Sequence, residues 1–233
     1  MKSLVKFDAR SCIAFLSKET YEAAGIATYF EGDMLVGLAV TIEHREDAEY
    51  AELIAQAHRK IVRLMELVHF GSGVPLQLGP AHVRPIESDS VVMMGGSSMK
   101  ANAVITRPIP LPPSDMVARL CDDEVRQLAW YNSAEASATD IEKIRSYYQV
   151  LECEKQITNG QYTPPAEMEY LRDAVSHPRL NRKVKAIEFL QNNLGTNHID
   201  LSNSIHLSFI KTRVEPLCAE ARRVIEVRLP KWW

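Results

Sequence analysis

The segment "RPIPLPP" at 107–113 places four prolines within seven residues. Proline fixes its own φ angle and disfavours the helical conformation for the residue before it, so we expect an extended, semi-rigid connection. Ser114 and Asp115 follow as candidate N-cap residues of a new helix. The sequence therefore predicts two domains, 1–113 and 114–233, on either side of this boundary.

Short extended runs separated by glycine and proline dominate the first of these domains. They read "SLVKFDA", "CIAFL", "MLVGLAVTIE", "VVMMG" and "ANAVITRPI". One helix is predicted over 48–69, because apolar residues recur there at helical spacing while charged residues occupy the other face. Such a helix suits packing on a sheet, so we predict a small α+β domain with no recognisable site of its own.

Beyond residue 114 the apolar residues recur at helical spacing throughout. The predicted helices cover 115–132, 139–157, 165–177, 180–193 and 203–228. Proline inside a helix removes a hydrogen bond, so a bend is expected near Pro216 in the last of them. The second domain is predicted to be an all-α bundle, and the fold class of the whole chain is α+β.

Composition narrows the functional classes. The formal net charge of −3 gives no global basic field, so a nucleic-acid partner would need a local basic patch. No run of 18 apolar residues occurs, which predicts no membrane span. The four cysteines are far apart and the histidines show no ligand spacing, so we expect neither a metal nor another cofactor. A reducing, cytoplasmic setting fits this pattern best.

One short stretch in the second half contains the candidate catalytic residues. In "LRDAVSHPRL" at 171–180, Pro178 is expected to end a helix at His177. Arg172 lies about 140° from His177 on an ideal helix, and an unwound last turn would let both side chains reach one cleft. Arginine is a bidentate cation for phosphate oxygens, and histidine can take or return a proton. The pair therefore suits metal-independent cleavage of RNA through its own 2′-hydroxyl group.

Neighbouring residues extend this candidate site. Asp173 and Ser176 are candidates for orienting the ring or the guanidinium, and Glu152 is a candidate to pair with Arg172 across the bundle. Residues 172–185 hold five cations against one carboxylate, which favours contact with a phosphate backbone. The residues predicted to make those contacts are Arg179, Arg182, Lys183 and Lys185.

The arrangement Arg172-Asp173-x3-His177 near the end of a bundle helix resembles the HEPN family (higher eukaryotes and prokaryotes nucleotide-binding). The upstream "IRSYYQVLECEKQI" is similar to the aromatic-then-glutamate helix of bacterial HEPN-like proteins, including the methylamine-utilisation MauJ proteins. The resemblance covers roughly 115–233. It implies a homodimer whose two motifs face one cleft, with Arg172 and His177 as catalytic residues. The toxin subgroup has x-Tyr after the histidine, whereas Pro178 and Arg179 stand here.

Two functions follow from the sequence. The first is a HEPN-like, metal-independent endoribonuclease or RNA-binding effector that works as a homodimer. The second is a non-catalytic scaffold, or a protein that binds a ligand or partner, in which Arg172 and His177 only stabilise the end of a helix. Charged residues on a helix are more often solvated than functional. The geometry around Arg172 and His177 therefore has to distinguish between the two functions.

Overall fold

The structure is a computed structural model that describes residues 1–10, 13–16, 21–86, 92–94, 105–177 and 183–232. The chain forms two compact units. The first comprises Met1–Cys121 with Lys231–Trp233, and the second comprises Asp122–Pro230. The chain is a mixed α+β protein whose C-terminal region is helical, as the sequence predicted.

A sheet and one long helix build the first unit. Its strands are β1 (Lys2–Arg10), β2 (Ile13–Phe15), β3 (Ile26–Glu31), β4 (Met34–Glu43), β5 (Gln77–Pro85), β6 (Val92–Met94) and β7 (Ile105–Ile109). Five of them form an antiparallel array in the order β6-β5-β1-β4-β3. Strand β2 pairs with β4 at Ala14–Met34, and β7 runs parallel to β2.

The core of the first unit lies between this sheet and helix α1 (Tyr50–Ser72). Every second residue of β1 is buried, starting at Ser3, which is the alternation expected of a strand with one covered face. Leu38 and Val40 on β4 are also fully buried. The buried residues of α1 recur at helical spacing and include Leu53, Ala57, Ile61, Leu64 and Val68.

Helix α1 ends at Gly73, whose φ of 71° lies in the left-handed region. We expect Gly73→Ala to lower the free energy of unfolding by about 1 kcal/mol, because a Cβ atom disfavours that conformation. Among the described residues, no atom beyond Gly73 and its chain neighbours lies within 4 Å of the position that a Cβ would take there, so backbone strain and not a clash would cause the loss. Urea denaturation measures it. Gly73→Asn is the control, since asparagine tolerates this conformation, and an equal loss in both variants would contradict the explanation.

Two strands were not predicted. Strand β3 was missed altogether, and β5 was interpreted as a glycine- and proline-rich interruption. Strand β5 tolerates Gly79 and Pro80 because its register against β1 shifts between Phe7 and Ala9. Proline is accepted in strands at such bulges. Pairing with β6 begins only at Ala81, beyond the residue that lacks an N–H group.

The proline-rich segment is extended and packs within the first unit. The Tyr21 hydroxyl donates a hydrogen bond to the Pro112 carbonyl over 3.0 Å, and Leu111 is buried. The predicted start of the second domain, Ser114, is the first residue of a short helix, α2 (Ser114–Arg119), which belongs to this first unit.

The described residues of the second unit form five helices. They are α3 (Asp122–Ala136), α4 (Asp140–Ile157), α5 (Ala166–Ser176), α6 (Val184–Leu194) and α7 (Ser204–Glu226). The single helix predicted over 115–132 is wrong, because Leu120 adopts an extended ψ of 127° and separates α2 from α3. Helix α7 is continuous through Pro216. Among the described residues, no helix is long and apolar enough to cross a bilayer.

Candidate functional site

Helix α4 begins at a side-chain cap. The backbone N–H of Glu142 donates to the Thr139 hydroxyl oxygen over 3.3 Å, and that hydroxyl donates to the Glu142 carboxylate over 3.1 Å. A threonine three residues before a glutamate is a capping pair, which fixes the first turn of the helix. Helix α4 packs against both α3 and α5, so its two sides meet different neighbours.

A pocket of about 480 Å³ opens where these three helices meet. Its lining residues are Trp130 from α3, Glu142, Arg145, Ser146 and Gln149 from α4, and Arg172, Ser176 and His177 from the end of α5. The four residues from α4 are spaced i, i+3, i+4 and i+7, so they form one stripe along the helix. The predicted pair, Arg172 and His177, therefore lines one pocket within a single chain.

Arg172 is held by several groups at once. Its Nη2 atom donates to Glu152 Oε1 over 3.1 Å, which is the pairing across the bundle that the sequence suggested. The guanidinium also lies over the Tyr148 ring, 4.7 Å from the ring centroid, which is a cation–π contact. Gln149 donates to the second oxygen of Glu152 over 2.7 Å. These contacts fix the guanidinium in one position at the pocket wall.

The charge of Arg172 is preserved in this setting. Burial lowers the pKa of Arg172, but the Tyr148 hydroxyl and the carboxylates of Glu152 and Asp173 raise it more. The resulting pKa lies above the ordinary value for arginine. Burial also raises the pKa of Tyr148, an effect that Arg172 partly offsets, so the hydroxyl stays protonated at neutral pH.

Asp173 is buried and lies between two cations. Its side chain is 4% exposed, and Oδ2 pairs with Lys183 Nζ over 2.9 Å. Its Oδ1 lies 3.1 Å from Arg172 Nη1 as an ion pair without hydrogen-bond alignment. Asp173 therefore orients the guanidinium rather than the imidazole, although its backbone carbonyl accepts the N–H of His177.

The end of α5 presents His177 to solvent. His177 has left the helix, with φ −119° and ψ 110°, as expected for a residue before proline. Its side chain is exposed at the pocket, and Ser176 lies beside it on the pocket wall. Arg145 Nη2 donates to the Val175 carbonyl over 2.5 Å. A cation from α4 therefore provides a hydrogen bond to a backbone carbonyl in the last turn of α5.

The predicted basic patch is only partly within the described residues. Arg179 and Arg182 lie outside them. Lys183 is half-exposed but paired with Asp173, so its charge is already engaged. Lys185 is exposed on α6 and does not line the pocket. Of the cations that the sequence proposed as phosphate contacts, none of those described lies at the pocket itself.

The sequence did not predict five of the pocket residues, which are Trp130, Glu142, Arg145, Ser146 and Gln149. The signal for the last four was present, because they form the polar stripe beside the apolar stripe of α4. Trp130 gave no such signal, since its role depends on how α3 lies beside α4. Within the described residues, no group of three or more acidic, histidine or cysteine side chains could hold a metal ion.

Comparisons with known proteins give no further guide to this site. No protein-family model, no curated protein and no solved structure matches the chain significantly. The function of the chain is therefore inferred from the geometry of the pocket and from the chemistry of its side chains.

Proposed function

We propose that the chain binds RNA at the pocket between α3, α4 and α5 and cleaves it as a metal-independent endoribonuclease. The observation that carries the proposal is that Arg145, Arg172 and His177 line one open pocket. Two guanidinium groups supply permanent cations for a phosphodiester, and an exposed imidazole beside them supplies a group that can move a proton.

The two arginines have different roles in this proposal. Arg172 is positioned by Tyr148 and Glu152 and stabilises the charge that develops on phosphorus. Such a preorganised group needs no rearrangement when the charge appears. Arg145 is exposed and uses one Nη2–H bond for the Val175 carbonyl, which leaves its other N–H groups for a phosphate oxygen. Arg145 is therefore the main contact for binding, and Arg172 the main contact for the transition state.

The proposed reaction is attack by the RNA on itself. The 2′-oxygen forms a bond to the adjacent phosphorus while the bond from phosphorus to the 5′-oxygen breaks. A general base takes the proton of the 2′-hydroxyl, and a general acid gives a proton to the departing 5′-oxygen. The products are a 2′,3′-cyclic phosphate and a 5′-hydroxyl end. No oxidant, reductant or second substrate is required.

This reaction needs a base and an acid, whereas each chain places one histidine at the pocket. The resemblance to the HEPN family implies a homodimer with two motifs in one cleft. We therefore propose that two copies of the chain each contribute His177 to one cleft. One of these histidines acts as the base and the other acts as the acid. Closed dimers of this kind place the same residue on both sides of their symmetry axis.

Incubation of the purified protein with a fluorescent single-stranded RNA in EDTA tests the proposal. We expect cleavage that yields 2′,3′-cyclic phosphate ends, detectable by mass spectrometry, and no cleavage of the same sequence carrying 2′-O-methyl groups. Arg145→Gln is expected to weaken binding of the methylated RNA roughly tenfold, because a charge-assisted contact is lost.

Arg126→Gln is the matched control for that variant. Arg126 is an exposed arginine of α3 that pairs with Asp123 and does not line the pocket. Its substitution removes the same charge from the same unit, so binding should remain as in the wild type. If both variants bind the methylated RNA equally, general charge and not the pocket explains the affinity. Absence of cleavage by the wild type would remove the catalytic proposal.

A second function is favoured by the contacts of Arg172. Its guanidinium already engages Tyr148, Glu152 and Asp173, as in a purely structural clamp between α4 and α5. In this alternative the second unit is a non-catalytic scaffold, or binds a ligand or partner, and His177 only ends a helix. It predicts that RNA is neither cleaved nor bound at the pocket.

A further inference from the structure

Trp130 stands out among the pocket residues because it is a large aromatic side chain that is partly exposed to solvent. It lies on α3, its exposed fraction is 38%, and it lines the same pocket as the arginines. Within the part of the chain that the structure describes, no ring contact or hydrogen bond of Trp130 is found. Exposure of part of an indole ring to water is unfavourable, so Trp130 offers apolar surface to a ligand in the pocket.

The pocket is lined by this aromatic group and by cations from two other helices. Helix α4 contributes Arg145, Ser146 and Gln149, and both α3 and α5 pack against α4. Trp130 belongs to the α3 side, and Arg172 and His177 belong to the α5 side. The volume of about 480 Å³ falls within the range of roughly 300–1,000 Å³ that small-molecule sites occupy. A planar ring and an anion could therefore be bound together.

We infer that Trp130 is a stacking platform for one nucleobase of a single-stranded RNA, next to the phosphate bound by Arg145. This inference rests on the proposed function and adds which part of the nucleotide the α3 side recognises. Stacking on an aromatic face is tolerant of sequence, because every base has a π surface. The pocket thus favours large, flat bases over small ones and single strands over duplexes.

Binding of two uncleavable tetramers tests the inference. One is 2′-O-methyl oligoadenylate, and the other is an abasic tetramer of 2′-O-methylribose phosphate with the same length and charge. Fluorescence anisotropy of a 5′-fluorescein label gives both affinities. We expect Trp130→Ala to weaken binding of the oligoadenylate about tenfold or more and to leave the abasic tetramer unchanged. Trp130→Phe keeps an aromatic face and should lose less than about threefold.

Arg145→Gln distinguishes failure of this inference from failure of the proposed function. If Arg145→Gln weakens both tetramers but Trp130→Ala weakens neither selectively, stacking is wrong and phosphate binding stands. If Arg145→Gln weakens neither tetramer, the proposed function fails and the inference fails with it. Circular dichroism shows whether Trp130→Ala folds. If it does not fold, tryptophan fluorescence of Trp130→Phe tests the stacking instead. The oligoadenylate should quench tryptophan emission in the wild type but not in that variant, and equal quenching in both overturns the inference.

Discussion

Replacement of His177 by alanine is expected to slow RNA cleavage about a thousandfold while the melting temperature stays that of the wild type. Loss of a general acid or base costs roughly 10²–10⁴-fold in rate, which sets the size of the effect. The imidazole is exposed, and its backbone N–H, which alanine retains, supplies the hydrogen bond to the Asp173 carbonyl. Substitution of an exposed side chain at the surface rarely changes stability. Cleavage rates under single-turnover conditions and a thermal melt measure the two quantities.

His198→Ala is the matched control, because His198 is another exposed histidine of the second unit that lies outside the pocket. Its cleavage rate should equal that of the wild type. An equal rate for His177→Ala would exclude His177 from the reaction. A lower melting temperature with no effect on RNA would instead support the structural alternative. Arg172→Ala cannot make this distinction, because it removes a cation from both Glu152 and the buried Asp173 and so also disturbs the contact between α4 and α5.

The largest loss of stability is expected at Arg228, whose contacts join the end of the second unit to α3 and α4. Its Nη1 atom lies 2.6 Å from Glu154 Oε1 and 2.5 Å from Oε2, and its Nη2 donates to Gln127 Oε1 over 2.5 Å. Glu154 and Gln127 are both buried. Arg228→Gln should lower the free energy of unfolding by about 3–5 kcal/mol, because the Glu154 carboxylate would remain buried without its cation. Urea denaturation followed by circular dichroism measures this change.

Arg223→Gln provides the comparison. Arg223 pairs with Glu220 over 2.7 Å, but its side chain is 57% exposed, so the loss should stay below about 1 kcal/mol. Replacing both members of the buried pair by apolar residues, as in Arg228→Met with Glu154→Leu, should recover much of the stability. Equal losses in Arg228→Gln and Arg223→Gln would show that burial does not strengthen the Arg228 pair.

The sequence predicted elements whose pattern is local. Strand β4 matches the predicted run over 34–43 because that run is apolar and unbroken. The helix predicted over 139–157 matches α4 for the same reason, because its apolar residues recur at helical spacing. Strand β5 was missed because Gly79 and Pro80 interrupt its pattern, and only the register against β1 explains how a strand accepts them. No glycine or proline stands at the break after α2, so nothing in the sequence indicated two helices within 115–132.

The candidate site was predictable only along a single helix. The spacing of Arg172 and His177 marked one wall of the pocket, and a carboxylate on α4 was correctly suggested as the partner of Arg172. Arg145 and Trp130 could not be added, since their positions depend on how α3, α4 and α5 pack together. Such packing follows from contacts between residues far apart in the sequence, which no short window contains.

The hydrogen bond from Arg145 to the Val175 carbonyl has a mechanical consequence. The Arg145 side chain lines the open pocket and also donates to the backbone carbonyl of Val175, two residues before His177. An anion that draws Arg145 outward must therefore either share this guanidinium with the peptide group or pull on it. In the second case, occupancy of the pocket would act on the backbone two residues before His177, the residue proposed to exchange the proton.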